Sequence, residues 1–534
     1  MKTMKRMAGV LLALVMAMAL TIPAFAATVS NGTNHSYDAY QIFSGTQAVD
    51  SVPLGDVEWG TGIKGADFLA ELKTDTRFVQ GDANIFASCT TAADVAKALS
   101  SSEDKSDIAK AFANVAAKHL NVASKSIAAD AKTVDLDAGY YLLVDTSTPG
   151  EGDARNSALL QVTNKGDITI EKKYDVPKVD KSVQDSDDTW GEAADWEIGS
   201  KVPFVLVGTL PSNYDDYETY KYVFHDTLSG GLQYNGDVKV YVQNGETKTE
   251  LTSGFTVSPN AAATSGGGKL EITFADLKSV TNVSATSKIV VEYTAKLLDS
   301  AVIGNAGNKN EVYLEYYNNP NVAGDGTPTT SNTPKDEVLV FTYELDVTKV
   351  DGQDANKKLA NAEFVLLNSD KTKVAKVANG KFVEWVNVPA AVNGKITWPD
   401  GTTLTSAAET GLFTITGLDA GSYYLRETKA PAGYNLLTND ISVQISATLD
   451  KSEETGPELS ALKLSVKEDK ADAKATESVG VLTTGIVSTD VINNAGATLP
   501  ETGGIGTTIF YVLGGALMLG AVVLLVTKKR MSAE

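Results

Sequence analysis

Short runs in which apolar and polar residues alternate recur along most of the chain. Val238-Lys239-Val240-Tyr241-Val242 and Lys288-Ile289-Val290-Val291-Glu292-Tyr293 are two, with Gly, Asn, Asp and Pro filling the gaps between runs. A period of two collects the apolar side chains on one face of a strand. The pattern therefore predicts a mainly β chain of tandem immunoglobulin-like β-sandwiches. One stretch departs from it. Thr91 to Leu120 is rich in Ala and Lys and sets Ile108, Phe112 and Val115 at helical spacing, which predicts a helical insertion in the first domain with those three as core contacts.

The two ends read differently. Lys2, Lys5 and Arg6 precede an apolar stretch from Ala8 to Leu20 and a small-x-small site at Ala24-Phe25-Ala26, the order of a secretory signal cleaved after Ala26. Near the other end, Leu499-Pro500-Glu501-Thr502-Gly503 is followed by an almost uncharged run from Gly504 to Thr527 and then Lys528-Lys529-Arg530. That run suits a membrane span with the basic cluster held on the cytoplasmic side.

Composition shifts divide what lies between. Tyr174-Asp175-Val176-Pro177-Lys178 joins a first and a second domain, and a Gly-, Pro-, Thr- and Asn-rich linker precedes the third. The expected layout is a signal peptide over 1–26, an N-terminal domain over 27–173 and a middle domain over 174–322. A linker over 323–334, a third domain over 335–497 and a tail over 499–534 complete it. Leu136-Asp137-Ala138-Gly139-Tyr140-Tyr141-Leu142 is echoed by Leu418-Asp419-Ala420-Gly421-Ser422-Tyr423-Tyr424-Leu425, which suggests related sandwiches in the first and third domains.

A formal net charge of −21 excludes a nucleic-acid partner, which would require a basic face. Cys89 is the sole cysteine, so an exported chain has no internal disulfide to harden it, and another crosslink is worth seeking. His35, His119 and His225 are too scattered for a metal site, and no metal or cofactor is expected.

Patterning supplies a candidate crosslink. On the opening strand of the middle domain Val179, Lys181 and Val183 share a face, and near its close Val312, Leu314, Tyr316 and Asn318 do the same. Lys181 and Asn318 are the polar exceptions, and an isolated polar side chain on an apolar face needs a partner. In the third domain Val347-Thr348-Lys349-Val350-Asp351 opens and Thr489-Asp490-Val491-Ile492-Asn493 closes the fold.

Three resemblances follow from these motifs. Leu499 to Gly503, the apolar run and the basic cluster together resemble a sortase sorting signal. In that signal a membrane cysteine transpeptidase cuts between Thr502 and Gly503, holds the Thr502 carbonyl as a thioester and passes it to an amine. Residues 335–497, with Gly421-Ser422-Tyr423-Tyr424-Leu425-Arg426-Glu427-Thr428-Lys429-Ala430-Pro431, resemble the B-type domain of collagen adhesins and pilins. Residues of about 175–322, with Phe224-His225-Asp226-Thr227-Leu228, resemble the middle domain of fimbrial shaft subunits. The resemblances imply self-formed amide bonds: Lys349 with Asn493, assisted by Glu427, and Lys181 with Asn318, assisted by Asp226. Asn494 rivals Asn493. A buried lysine loses its charge and becomes nucleophilic, and a buried carboxyl holds the proton that must move.

The whole resembles the shaft subunit of a sortase-assembled pilus, a structural protein rather than an enzyme. The partners this implies are the sortase, further copies of the chain, peptidoglycan, minor pilins and host surface ligands. Lys178, in a loosened Tyr-Pro-Lys-like motif, is the expected polymerisation lysine, with Lys172 and Lys173 as rivals. A wall-anchored adhesin that never polymerises is the alternative. In the first domain Asp145 falls where Glu427 does, but no lysine lies between Thr28 and Ile63, so no bond is expected there.

Overall fold

A computed structural model describes residues 26–46, 54–102, 106–130, 132–155, 157–162, 168–171, 175–320, 329–452, 456–496 and 505–531. Strands dominate, and the alternation in the sequence becomes alternation in burial. Val179, Lys181 and Val183 point inward while Asp180 is exposed, and Val312, Leu314 and Tyr316 point inward on their own strand.

Three bodies of packed strands follow one another. In the first, a three-stranded sheet (Ala26–Asn31, Thr133–Asp137, Ile168–Ile170) accompanies a five-stranded one centred on Tyr37–Thr46 and Gly139–Asp145. The helical insertion forms two helices, Ala92–Leu99 and Asp107–Lys118, and Ile108, Phe112 and Val115 are buried. A third helix, Gly65–Thr74, was not read from the sequence; it buries Phe68 and Leu72 beneath the same sheet. The repeated sequence echo is an echo in space. Tyr141 donates its hydroxyl to the Asp137 carbonyl at 2.9 Å, and Tyr423 donates to the Asp419 carbonyl at the same distance. Each bond pins the turn that opens a strand.

The middle body is a sandwich of two seven-stranded sheets around one apolar core. Val179–Gln184 lies in one sheet, and Tyr222–Leu228 pairs with Asn308–Tyr317 in the other. Asp336–Phe341, assigned to the third domain by the sequence, pairs with Asn308–Tyr317 and puts Val338 and Val340 into the middle core. Thr330–Asn332, assigned to the linker, pairs with the same strand. Both belong to the middle sandwich, because the linker composition before them hides a long-range pairing that only the register reveals.

The third body is an eleven-stranded sheet, ten strands in one continuous hydrogen-bonded path with Leu404–Thr405 paired to its side, and Leu462 and Leu464 near one end of the path share a core with Val487 and Val491 at the other. Tyr343–Asp351 runs parallel to Ile486–Asn493 and antiparallel to Leu412–Leu418. Ala193 and Ile198 of the middle body insert into this core. Gly417 permits the approach: its φ is +92°, and a Cβ there would stand 2.1 Å from the Ile198 side chain.

Ile505–Met531 is a 27-residue helix. No described helix is long and apolar enough to cross a membrane, so the span expected from the sequence is not found. The leader before Ala26, and Leu499 to Gly503, lie outside the described residues.

Candidate crosslinking sites

Lys349 and Asn493 come together because the first and last strands of the third body are parallel neighbours, with Lys349 paired to Val491 and Asp351 to Asn493. Lys349, Asn493 and Glu427 are all buried. The Lys349 Nζ donates to the Val491 carbonyl at 2.8 Å. Asn493 Nδ2 donates to both Glu427 oxygens, at 3.0 and 3.1 Å, and to the Asn435 carbonyl. Glu427 Oε2 is steadied by the Leu437 N–H at 2.8 Å. Burial pulls the Lys349 amine down to about 8, against the opposing pull of Glu427, so a neutral, nucleophilic amine is accessible near physiological pH. Asn493 Oδ1 is buried without a hydrogen-bond partner, the atom that a protonated carboxyl would polarise. Asn494 is exposed, so its amide lacks the desolvated setting of Asn493.

In the middle sandwich Lys181 and Asp226 are wholly buried and in direct contact. Burial pulls the lysine down and pushes the aspartic acid up, in each case against the charged form. Asn318, however, is elsewhere. Its amide donates to Ser331 Oγ at 2.7 Å and accepts from Thr329 Oγ1 at 2.6 Å. The asparagine beside Lys181 and Asp226 is Asn310, eight residues back and roughly 26 Å away along an extended strand. Asn310 Nδ2 donates to Tyr293 Oη at 2.6 Å, and the same hydroxyl accepts from Lys181 Nζ at 3.2 Å and donates to Asp226 Oδ2 at 3.0 Å. Asn310 Oδ1 and Asp226 Oδ1 are buried without partners. The structure thus brings Asn310, and not the expected Asn318, to the Lys181 and Asp226 pair. Alternation could have found it, since the inward face continues from Val312 back to Asn310 and Asn308. The register that separates them, Leu228 opposite Asn310 and Asp226 opposite Val312, is not local.

Sequence comparison places these sites in context. Residues 343–456 match the SpaA family, a prealbumin-like fold domain, and residues 492–532 match the LPXTG cell wall anchor motif. The match beginning at 343 agrees with the break between the middle and third cores. The chain is 23% identical over 444 residues to the trypsin-resistant surface T6 protein of Streptococcus pyogenes serotype M6, covering 73% of this chain and 75% of that one. It is 26% identical over 343 residues to fimbrial subunit type 2 of Actinomyces naeslundii, covering 58% and 60%. The chain is similar to wall-anchored pilins of Gram-positive bacteria. Among solved structures, the T6 backbone pilin of serotype M6 S. pyogenes aligns with a TM-score of 0.49 at 16% identity, over 90% of this chain and all of that one. The full-length major pilin SpaD of Corynebacterium diphtheriae aligns with a TM-score of 0.43 at 18% identity, over 88% and 98%.

The chain is a secreted, wall-anchored protein of the cell surface. Its first body holds a different arrangement at the place of Glu427. Asp145 accepts from His35 Nδ1 at 2.5 Å, and His35 Nε2 lies 2.7 Å from Asp153. The Asp153 segment docks on the middle sandwich, where Tyr316 donates to the Asp153 carbonyl, Gly152 N–H to Asn332 and Arg155 N–H to Asn318. Asn318 is therefore a joint residue. His225 faces away from Asp226, between Glu271 and Glu315.

Lys178 is exposed. Its N–H donates to Thr209 Oγ1 and its carbonyl accepts from the Thr209 N–H, both at 2.9 Å, so the backbone is fixed while the amine is free to project. Lys172 and Lys173 lie outside the described residues.

Proposed function

We propose that this chain is the repeating shaft subunit of a covalent pilus, with two sandwiches hardened by self-formed amide bonds. The observation that carries the reading is the recurrence, in two successive sandwiches, of a buried lysine, a buried carboxyl and a buried asparagine with an unpartnered carbonyl oxygen. In each, the neutral amine attacks the asparagine Cγ, the carboxyl accepts a proton from the amine, and the amide nitrogen departs as ammonia carrying one. Each site acts once on its own chain. The reading assigns Lys349–Asn493 with Glu427, and Lys181–Asn310 with Asp226.

Sortase would cut after Thr502 and pass its carbonyl to Lys178 of the next copy, or to peptidoglycan at the base. A Lys349–Asn493 bond closes a loop of about 144 residues and a Lys181–Asn310 bond one of about 129, each stabilising by about 5 kcal/mol in the chain-entropy model. Intact mass tests this directly. The mature chain should be two ammonias lighter than its sequence requires, and a full calculated mass would refute the reading.

A further inference from the structure

The two sites solve one chemical problem with different parts. In the third body the carboxylate touches the amide itself, since both Glu427 oxygens accept from Asn493 Nδ2. In the middle sandwich the acid is Asp226, one methylene shorter, and no described hydrogen bond joins it to Asn310. Tyr293 stands between them. Its hydroxyl donates to Asp226 Oδ2 at 3.0 Å and accepts from Asn310 Nδ2 at 2.6 Å and from Lys181 Nζ at 3.2 Å. A phenol offers one donor and two acceptor positions, so these three partners use it fully. The ring is held by Phe204, stacked at 5.4 Å on the neighbouring strand, and by Tyr234, edge-on at 5.9 Å.

The reaction needs such a group. In the amide, Nδ2 is a donor and a poor leaving group. In the tetrahedral adduct it is an amine with a free lone pair, and it leaves only after gaining a proton. The proton available is the one Lys181 sheds, which goes to Asp226, out of direct reach of Nδ2. We propose that Tyr293 is a catalytic residue of the middle crosslink, its hydroxyl passing to Asn310 Nδ2 the proton that Asp226 takes from Lys181. This rests on the Lys181–Asn310 reading above.

The balance closes. Nζ loses one proton to Asp226 as the Nζ–Cγ bond forms. Asp226, now an acid, donates to Tyr293 Oη, and the hydroxyl turns to Nδ2, which has become an acceptor. The Cγ–Nδ2 bond breaks, one ammonia leaves, and Asp226 and Tyr293 return to their starting states. Burial pushes the Tyr293 hydroxyl well above the ordinary phenol range, so it hands a proton on while receiving another rather than standing as a phenolate.

The test follows ammonia loss in the full chain refolded from denaturant, with peptide mapping to tell the two links apart. Tyr293→Phe should slow the Lys181–Asn310 link about a hundredfold or more while Lys349–Asn493 forms at its normal rate. Adding Asp226→Glu, whose longer arm reaches the amide in the space the hydroxyl left, should recover part of that rate. A double variant no faster than Tyr293→Phe alone, or a Tyr293→Phe chain that links at the wild-type rate, would overturn the relay. Should Tyr293→Phe fail to fold, 3,5-difluorotyrosine at position 293 keeps the shape and changes the acidity. A changed linking rate then supports the relay and an unchanged one overturns it. A wild-type chain with no link at Lys181 would instead refute the underlying crosslink, a distinct result.

Discussion

Lys349 and Asn493 lie on the same inward face of two parallel strands, because Lys349 is paired with Val491 and alternation returns to that face two residues on. Glu427 meets the Asn493 amide there from a third strand. Replacing Glu427 with Ala removes the group that can take the proton, so the link should not form and the chain should fall short of its own calculated mass by one ammonia instead of two. The third body should lose about 5 kcal/mol of chain-entropy stabilisation and melt several degrees lower. Calorimetry with intact mass checks both, and a link formed at the normal rate would remove Glu427 from the mechanism.

The rate of that link should depend on pH in a set direction. The Lys349 amine is held near 8 by burial, and only its neutral form attacks. Below that value the neutral fraction rises about tenfold per pH unit and then levels off, and the linking rate of refolded chain should follow. A lysine lowered in the fold also binds fewer protons there than in the unfolded chain. In an Asn493→Ala chain, which cannot link, the third body should therefore gain stability as pH rises from about 8 towards the ordinary lysine value of 10.5. Stability that falls over this range would contradict the buried, neutral amine.

Asn310 and Asn318 give a pair of variants with opposite expectations. Asn310→Ala should abolish the Lys181 link, so that the chain falls short of its own calculated mass by one ammonia instead of two. Asn318→Ala should still fall short of its own calculated mass by two ammonias but free the Ser331 and Thr329 hydroxyls that its amide holds. Unsatisfied buried partners of this kind cost about 1–3 kcal/mol. Loss of the link in Asn318→Ala with its survival in Asn310→Ala would reverse the assignment.

What the sequence disclosed follows the range of the interactions. The Lys349, Glu427 and Asn493 set sits on strands whose identities are local: each carries its own alternation, and the stretch around Glu427 is distinctive. The choice between Asn310 and Asn318 depends on which end of one strand faces Lys181, and so on pairings between strands more than eighty residues apart. In the sequence Tyr293 is only the last residue of an alternating run; its hydroxyl gains meaning when three other strands bring Lys181, Asp226 and Asn310 to it. Asp336–Phe341 misled in the opposite way, since its alternation begins just after a linker and reads as the start of a new domain.

The joint between the middle and third bodies should tighten in acid. Asp195 and Asp419 hydrogen-bond across it, with Tyr343 donating to Asp195 at 2.8 Å and Lys451 held by Asp185 beside them. Burial pushes Asp195 up to about 6, and burial with the Asp195 charge lifts Asp419 further. Carboxyls raised in the docked state take up protons on docking. Their contribution is therefore complete below the ordinary carboxylate value near 4 and is lost as pH rises through about 6. Protease cutting at the joint should be slower at pH 5 than at pH 7.5, and Asp419→Asn should flatten that difference. A joint that loosens on acidification would overturn the shared proton.

The polymerisation lysine is the most consequential assignment. A shaft grows only if Thr502 of one subunit meets an exposed amine on the next. Lys178 satisfies the geometry on the donor side: it is exposed, its backbone is tied to Thr209, and it immediately precedes Val179, where the strand carrying Lys181 begins. Lys181, three residues on, is buried against Asp226 and is unavailable. Lys178→Arg keeps the positive charge and most of the length but removes the primary amine, and guanidinium stays protonated at any working pH. Cells producing this variant should display wall-anchored monomer with no ladder of covalent multimers after boiling in detergent, while the intact mass still lacks two ammonias. A ladder that persists would move the role to Lys172 or Lys173. A wild-type chain that forms no ladder in the presence of its sortase would make the protein an anchored adhesin with crosslinked sandwiches and no shaft.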